Sequence, residues 1–181
     1  MTNMQTLIAR MYGLFFLLLS LTGCAQVPTN RPAVQSADYD KKLTRLLPFD
    51  TPLIGVEELH ASPQQYQLLD ARAPEEFAVS HLPGATFIGY GGDYDPAVLE
   101  KLDKSQPVVV YCSVGYRSDK VGEKLMKAGF TDVRNLYGSI FEWANRGYEL
   151  EDATGKATRR VHTYNAKWGQ WMTNTAYEGI H

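Results

Sequence analysis

An α/β fold, doubly wound around a mainly parallel sheet with helices on both faces, is predicted by three features of the 181-residue sequence. Short apolar runs alternate with helical stretches across residues 53–150. One run, Val108-Val109-Val110, is apolar throughout, as a strand covered on both faces requires. Pro, Asp and Gly punctuate these runs where helices start and stop.

Taken in order, Leu53–Val56 reads as a short strand and Glu57–Ala61 as a helical turn. Tyr66–Asp70 is a buried-type strand, and Pro74–Val79 is a helix opened by a proline whose missing N–H costs nothing there. Ala85–Ile88 is a strand, followed by a helix over Pro96–Leu102 with Asp95 as its N-cap. Pro107–Tyr111 is the most buried strand. Asp119–Ala128 is a helix with Val121, Leu125 and Met126 on one face, ended by Gly129. Thr131–Leu136 closes the set of strands, and Ser139–Arg146 is a helix that turns Ile140 and Trp143 inward.

Composition narrows the function classes. Lys plus Arg is 18 and Asp plus Glu is 20, giving a net charge of -2. Without a basic excess, an electrostatic grip on nucleic acid is not expected. Two cysteines allow one disulfide at most and exclude a four-Cys zinc site. His60, His81, His162 and His181 show no ligand spacing, so neither metal nor cofactor is expected.

Four segments are distinguished along the chain. Arg10 precedes an apolar run from Met11 to Leu21, the length of a signal h-region and too short for a helical membrane span. The run ends in Leu21-Thr22-Gly23-Cys24, which resembles a bacterial lipobox. Residues 1–23 are accordingly expected to be a lipoprotein signal peptide, with Cys24 lipidated at the mature N-terminus. Ala25, in place of Asp, resembles an outer-membrane address facing the periplasm. Residues 24–52 read as a tether broken by Pro28, Pro32, Pro48 and Pro52, with one or two amphipathic turns over Lys41–Leu47 packing on the domain edge. Residues 53–150 are the folded domain, and 151–181 an extension in which Trp168 and Trp171 share a helix face. The extension is read as an element packed on the domain, with a partner-docking segment or a lid over the active pocket as alternatives.

The chemistry is concentrated in Tyr111-Cys112-Ser113-Val114-Gly115-Tyr116-Arg117-Ser118. A Cys at the end of the most buried strand, a short loop and a following helix bring loop amides and a helix N-terminus to one spot. Such a field lowers a thiol's pKa and also receives anions. Gly115 is expected at positive φ. Arg117 either presents its planar fork to an oxyanion or locks the loop by bonding its carbonyls.

Three stretches resemble the rhodanese family of sulfurtransferases. Asp70-Ala71-Arg72-Ala73-Pro74-Glu75-Glu76-Phe77 resembles its Asp-x-Arg-x-Pro-x-Glu-aromatic segment, and His81-Leu82-Pro83-Gly84-Ala85 its His-Ile-Pro-Gly-Ala turn. The Cys112 loop continues through Ala128-Gly129-Phe130, Val133, Leu136, Gly138 and Trp143 in the family's order. The resemblance implies a rhodanese-like domain with Cys112 as nucleophile and Ser113, Val114, Gly115, Tyr116, Arg117 and Ser118 as the active, substrate-binding loop. It implies that Asp70, Arg72 and Glu76 form a fold-stabilising network, with Arg72 a candidate for the pocket rim, and that His81 is a turn residue bonded to backbone. Ser113 and Tyr116 stand where family members often carry a basic residue and a polar Asn or His, so the pocket is expected to be less cationic and more aromatic. Ser139 replaces the second Gly of a Gly-Gly pair. The Cys-x4-Arg spacing is one residue shorter than the Cys-x5-Arg of cysteine phosphatases, which disfavours phosphoryl chemistry.

Two functions follow from this reading. The first is an enzyme that passes sulfane sulfur from a small donor such as thiosulfate to cyanide, a thiol or a protein thiol through a Cys112 persulfide. The second is a non-enzymatic sulfur carrier or thiol-redox binding module using the same cysteine.

Overall fold

The computed structural model describes residues 27–181, so the signal segment, the lipobox and Cys24 lie outside the described residues. At the centre of the fold is β4 (Val108–Tyr111), all four residues of which are buried. It pairs in parallel with β2 (Gln67–Asp70) on one side and β5 (Val133–Leu136) on the other. The outer strands are β1 (Leu53–Ile54), beside β5, and β3 (Thr86–Phe87), beside β2. The sheet order β1-β5-β4-β2-β3 is parallel throughout, as the run of valines requires.

Because side chains alternate along a strand, β4 feeds two cores. Val109 and Tyr111 join the core formed by α1 (Ala37–Leu46), α2 (Val56–Ala61) and α5 (Ser139–Asn145). Val108 and Val110 meet Val121 and Leu125 of α4 (Tyr116–Lys127) on the opposite face. The remaining helix of the domain, α3 (Pro74–Val79), starts at its proline and leads into the His81 turn. There the His81 and Glu151 backbones exchange hydrogen bonds of 2.8 and 3.0 Å. The His81 ring lies against Phe77, with Nδ1 3.0 Å from the Phe77 carbonyl.

Several elements differ from the sequence reading. The strand expected over Leu53–Val56 stops at Ile54, because Gly55 caps α2 and Val56 buries itself as that helix's first residue. The helix expected over Pro96–Leu102 is a 3-10 segment, Pro96–Lys101. Asp95 does cap it, accepting the Ala97 N–H at 2.9 Å, and the segment is held by i→i+3 bonds from Val98 to the Asp95 carbonyl and from Leu102 to the Leu99 carbonyl, each 3.3 Å. Helix α4 begins at Tyr116 and not at Asp119, so Tyr116, Arg117 and Ser118 form a helical first turn and are not loop.

The segment read as a tether, 24–52, requires the largest correction. Ser36 caps α1 through its hydroxyl, and Tyr39 and Leu43, one turn apart, are fully buried. The Tyr39 hydroxyl donates to the Gly138 carbonyl at 2.9 Å. Arg31 donates through Nε to Asp40 (3.1 Å) and the Tyr137 hydroxyl (3.2 Å), fixing the chain to the domain even before the helix.

Beyond the domain, β6 (Leu150–Glu151) and β7 (Ala157–Thr158) form an antiparallel pair. Then β8 (Arg160–His162) pairs in parallel with β9 (Glu178–Ile180) around the short α6 (Ala166–Gly169). Val161 and Tyr177 are buried in the α1 core, so the extension packs on the domain. Trp168 lies in α6, whereas Trp171 lies in the turn after it and stacks on Tyr39.

Candidate active site

Cys112 follows β4 directly, at the carboxyl end of the central strand where open parallel sheets hold their ligands. Gly115 turns the chain from β4 into α4 with φ of 110°. A Cβ there would add a 3.3 Å contact with Leu47 to the backbone strain, so glycine is required. The Gly115 N–H points at Cys112 Sγ, 3.1 Å away. The first turn of α4 supplies further N–H groups that lack helical acceptors, and the Ser118 amide and hydroxyl dipoles add to the field that lowers the thiol.

Three carbonyls of this turn, those of Cys112, Ser113 and Gly115, are engaged by the surrounding structure. Ile140 and Phe141, at the start of α5, donate to the Cys112 and Ser113 carbonyls at 3.2 and 3.3 Å. Asn135 Nδ2 donates to the Gly115 carbonyl at 2.9 Å, and Ser118 Oγ donates to Asn135 Oδ1 at 2.7 Å. Ser139 Oγ accepts the Cys112 N–H at 3.1 Å and donates to the Leu136 carbonyl at 3.2 Å. Ser139 has φ of 54°, a left-handed conformation that glycine adopts without strain. Its hydroxyl offsets that strain by satisfying the nucleophile's own buried amide.

Arg117 braces the site, but through side chains and not through the loop carbonyls. Its guanidinium grips Glu76 with Nη1–Oε2 at 2.5 Å and Nη2–Oε1 at 2.8 Å. Nη2 also donates to Ser113 Oγ at 2.9 Å, and that hydroxyl donates to Glu76 Oε1 at 3.0 Å. Glu76 is buried and also accepts the Ala73 N–H at 3.0 Å, capping its own helix. Burial pushes the Glu76 carboxyl up, but Arg117 and the Ala73 amide hold it below the usual carboxylate range. Arg72, proposed for the pocket rim, contributes to the cavity lining but is fully buried. Its Nε lies 3.0 Å from both Asp70 oxygens and its Nη2 2.7 Å from Oδ2, because a guanidinium buried this deeply requires a charged partner.

The electrostatics favour a thiolate. Burial pushes the Cys112 thiol up, but the Arg117 charge, the Ser118 amide and hydroxyl, and the Gly115 amide outweigh it. The thiol titrates below its ordinary value. Attack by Cys112 is therefore expected to fall as pH drops through a pKa that lies below that of an ordinary thiol. Ionisation also stabilises the fold above the unfolded-state pKa, and this contribution is lost as pH falls through the folded-state value. In Arg117→Met the acid limb is expected to move up, slowing modification at pH values below it by up to about tenfold per unit of displacement. Alkylation rates measured from pH 5 to 10 test this, and an unmoved limb refutes it.

A cavity of about 430 Å³ opens over the sulfur. Cys112, Ser113, Val114, Tyr116 and Arg117 line it, with a contribution from Arg72, while Gly115 and Ser118 lie behind the sulfur. Sequence reasoning missed Leu46 of α1 and Tyr90 and Asp93 from the loop after β3, and it offered the extension as a lid without naming Tyr164 and Trp168 as the residues that line the cavity. It also missed the holding role of Asn135, although a polar side chain at the carboxyl end of an apolar strand was a usable signal.

Fold and site together define a protein with a buried cysteine of lowered pKa held in an amide cradle at the end of a central parallel strand. The profile of the rhodanese-like domain matches residues 56–146, and the chain belongs to that family. It is 35% identical over 92 residues to thiosulfate sulfurtransferase 16, a chloroplastic protein of Arabidopsis thaliana, covering 45% of this chain and 77% of that one. Among solved structures, it resembles the thiosulfate sulfurtransferase of Pseudomonas aeruginosa with a TM-score of 0.51 and 27% identity, over 67% of this chain and 23% of that longer one. The rhodanese-like domain of an Anabaena protein shares the fold with a TM-score of 0.53 at 22% identity, over 59% of this chain and 83% of that one.

Proposed function

We propose that this chain moves sulfane sulfur from a donor such as thiosulfate to a thiol or cyanide through a persulfide on Cys112. The observation that carries this reading is the lowered thiol, held by amides and facing a cavity. The Cys112 thiolate attacks the donor's outer sulfur, a new S–S bond forms, and the electron pair of the broken S–S bond leaves with sulfite. The acceptor then attacks the terminal sulfur of the persulfide, and Cys112 departs as thiolate. The α4 N-terminus holds the negative charge on sulfur in both states. The sulfurtransferase names among the relatives support the reading.

Mass spectrometry of the purified chain after donor exposure tests it. The Cys112 peptide is expected to gain about 32 Da per sulfur and to lose it on addition of cyanide. An unchanged peptide overturns the proposal. Steady turnover distinguishes an enzyme from a carrier that is loaded once.

The chain works at a membrane surface in this reading. Acyl chains on Cys24 hold it in the bacterial envelope, in the outer membrane facing the periplasm, where the partners are small sulfur donors and thiols. The apolar run before Leu21-Thr22-Gly23-Cys24 supports this. Among the described residues no helix is long and apolar enough to cross a membrane. Cys24→Ser is expected to abolish acyl labelling and to shift the protein out of the detergent phase. Unchanged partitioning refutes lipid anchoring.

A further inference from the structure

Two walls of the Cys112 cavity come from a part of the chain that the family match, residues 56–146, does not reach. Tyr164 and Trp168 belong to the extension, and each is held in place. Tyr164 is 60% exposed although its ring borders a nucleophile's cavity, and its φ of 65° is a left-handed conformation that a bulky residue rarely adopts. The strain is maintained from both sides. Thr163 is buried and its N–H donates to the Ile180 carbonyl at 2.7 Å, while Asn165 caps α6 by accepting the Trp168 N–H at 3.1 Å. The Arg117 guanidinium lies 5.9 Å from the Tyr164 ring centroid, and Lys42 lies 5.1 Å from that of Trp168. Strain kept at a site border in this way is characteristic of functional positions.

The charges lining the same cavity do not favour a compact dianion. The Arg117 charge is shared between Glu76 and the Cys112 thiolate, Arg72 is paired with Asp70, and the Asp93 carboxylate adds negative charge at the wall. With the Cys112 thiolate present, a doubly charged donor gains little on entering, whereas an apolar body gains contact with Tyr164, Trp168, Tyr90, Tyr116 and Leu46.

We propose that Tyr164 and Trp168 form the binding wall for the aryl or similarly apolar group of an organic sulfane donor, so that the site prefers an aryl thiosulfonate to thiosulfate. The inference rests on the sulfur-transfer reading above. Cys112 thiolate attacks the outer sulfur of the arenethiosulfonate, a Cys–S–S⁻ persulfide forms, and the S–S bond to the sulfonyl group breaks. The arenesulfinate leaves with the electron pair. The two negative charges of the reactants are preserved in the persulfide and the sulfinate, and no oxidant or reductant is needed.

The test uses the chain with its extension and three donors: benzenethiosulfonate, methanethiosulfonate and thiosulfate. Persulfide formation on Cys112 is followed to give kcat/KM for each. The wild type is expected to favour the benzene donor over the methane donor by about tenfold or more. Tyr164→Gly and Trp168→Ala are each expected to reduce that ratio about fivefold, and Tyr164→Phe to retain it. Comparing variant with wild type cancels the leaving-group difference between the donors. General damage to the fold lowers both donors alike and leaves the ratio in place. Tyr164→Gly is also expected to keep or raise Tm, since glycine removes the backbone strain. A wild-type ratio near one, or a ratio that survives both truncations while small donors still load Cys112, overturns the wall and leaves sulfur transfer standing. If none of the three donors loads Cys112, the sulfur-transfer reading fails and the wall with it.

Discussion

Cys112→Ser is expected to abolish sulfur transfer, lowering turnover by more than about a thousandfold, while Tm changes by no more than a few degrees. The fold tolerates the change because the groups around Sγ are donors. The Gly115 amide, 3.1 Å from the sulfur, and the Ser118 amide serve a hydroxyl oxygen as well as a sulfur. The backbone bonds that place the residue are unaffected, since Ser139 holds its N–H and Ile140 its carbonyl. What is lost is the nucleophile. A serine hydroxyl in this cradle has no base beside it, and an alkoxide is far less accessible than a thiolate at neutral pH. Donor-dependent sulfite or sulfinate release, measured beside a thermal melt, reads both halves. More than a few per cent residual activity rules out Cys112 as the sulfur carrier.

Asp70→Asn is expected to produce the largest loss of stability, about 3–5 kcal/mol, because it leaves the Arg72 guanidinium buried without its counter-charge. Both side chains are fully inaccessible. Burial works against the charge on Arg72, and the Asp70 carboxylate beside it is what keeps the guanidinium firmly protonated. An asparagine keeps an acceptor for the Arg72 N–H but turns an amide toward a guanidinium nitrogen. The loss is comparable to much of a domain's whole stability. Removing both charges at once, in Asp70→Asn/Arg72→Met, is expected to restore part of it, since a buried pair is costly mainly when halved. Urea unfolding of the two variants gives the comparison. A single variant as stable as wild type shows that the pair does not anchor this wall.

The two networks explain what was legible in the sequence. The central strand, the position of Cys112 at its end and the left-handed turn at Gly115 all follow from local features, a run of valines and a glycine before a helix. The Asp95 cap and the proline start of α3 were equally local. The pairing of Glu76 with Arg117 joins residues 41 apart, and nothing in either segment announces the other. Helix α1 was read as a turn in a tether because its apolar stripe is narrow. Tyr39 and Leu43 are separated by Asp40, Lys41 and Lys42, with prolines on both flanks. The core supplies what the local pattern lacks, since both residues are fully buried. That the extension covers the pocket was one of the alternatives read from the sequence, but that Tyr164 and Trp168 form the wall was not legible, for a similar reason. The wall depends on β8 and β9 pairing across the intervening residues of the extension, which fixes where α6 sits.

The anchoring of Arg31 on Asp40 and Tyr137 sets a leash length. Arg31 lies seven steps along the chain from Cys24, and a fully extended chain spans at most about 25 Å over that distance. With acyl chains on Cys24, the domain would be confined to a thin shell above the bilayer. A molecule held in the same leaflet would then meet the domain at an effective concentration on the order of millimolar. For such a molecule a weak intrinsic affinity would still saturate the site, whereas a freely diffusing competitor at micromolar levels would rarely do so. Lengthening the segment before Arg31 would dilute this advantage without touching a single side chain of the cavity.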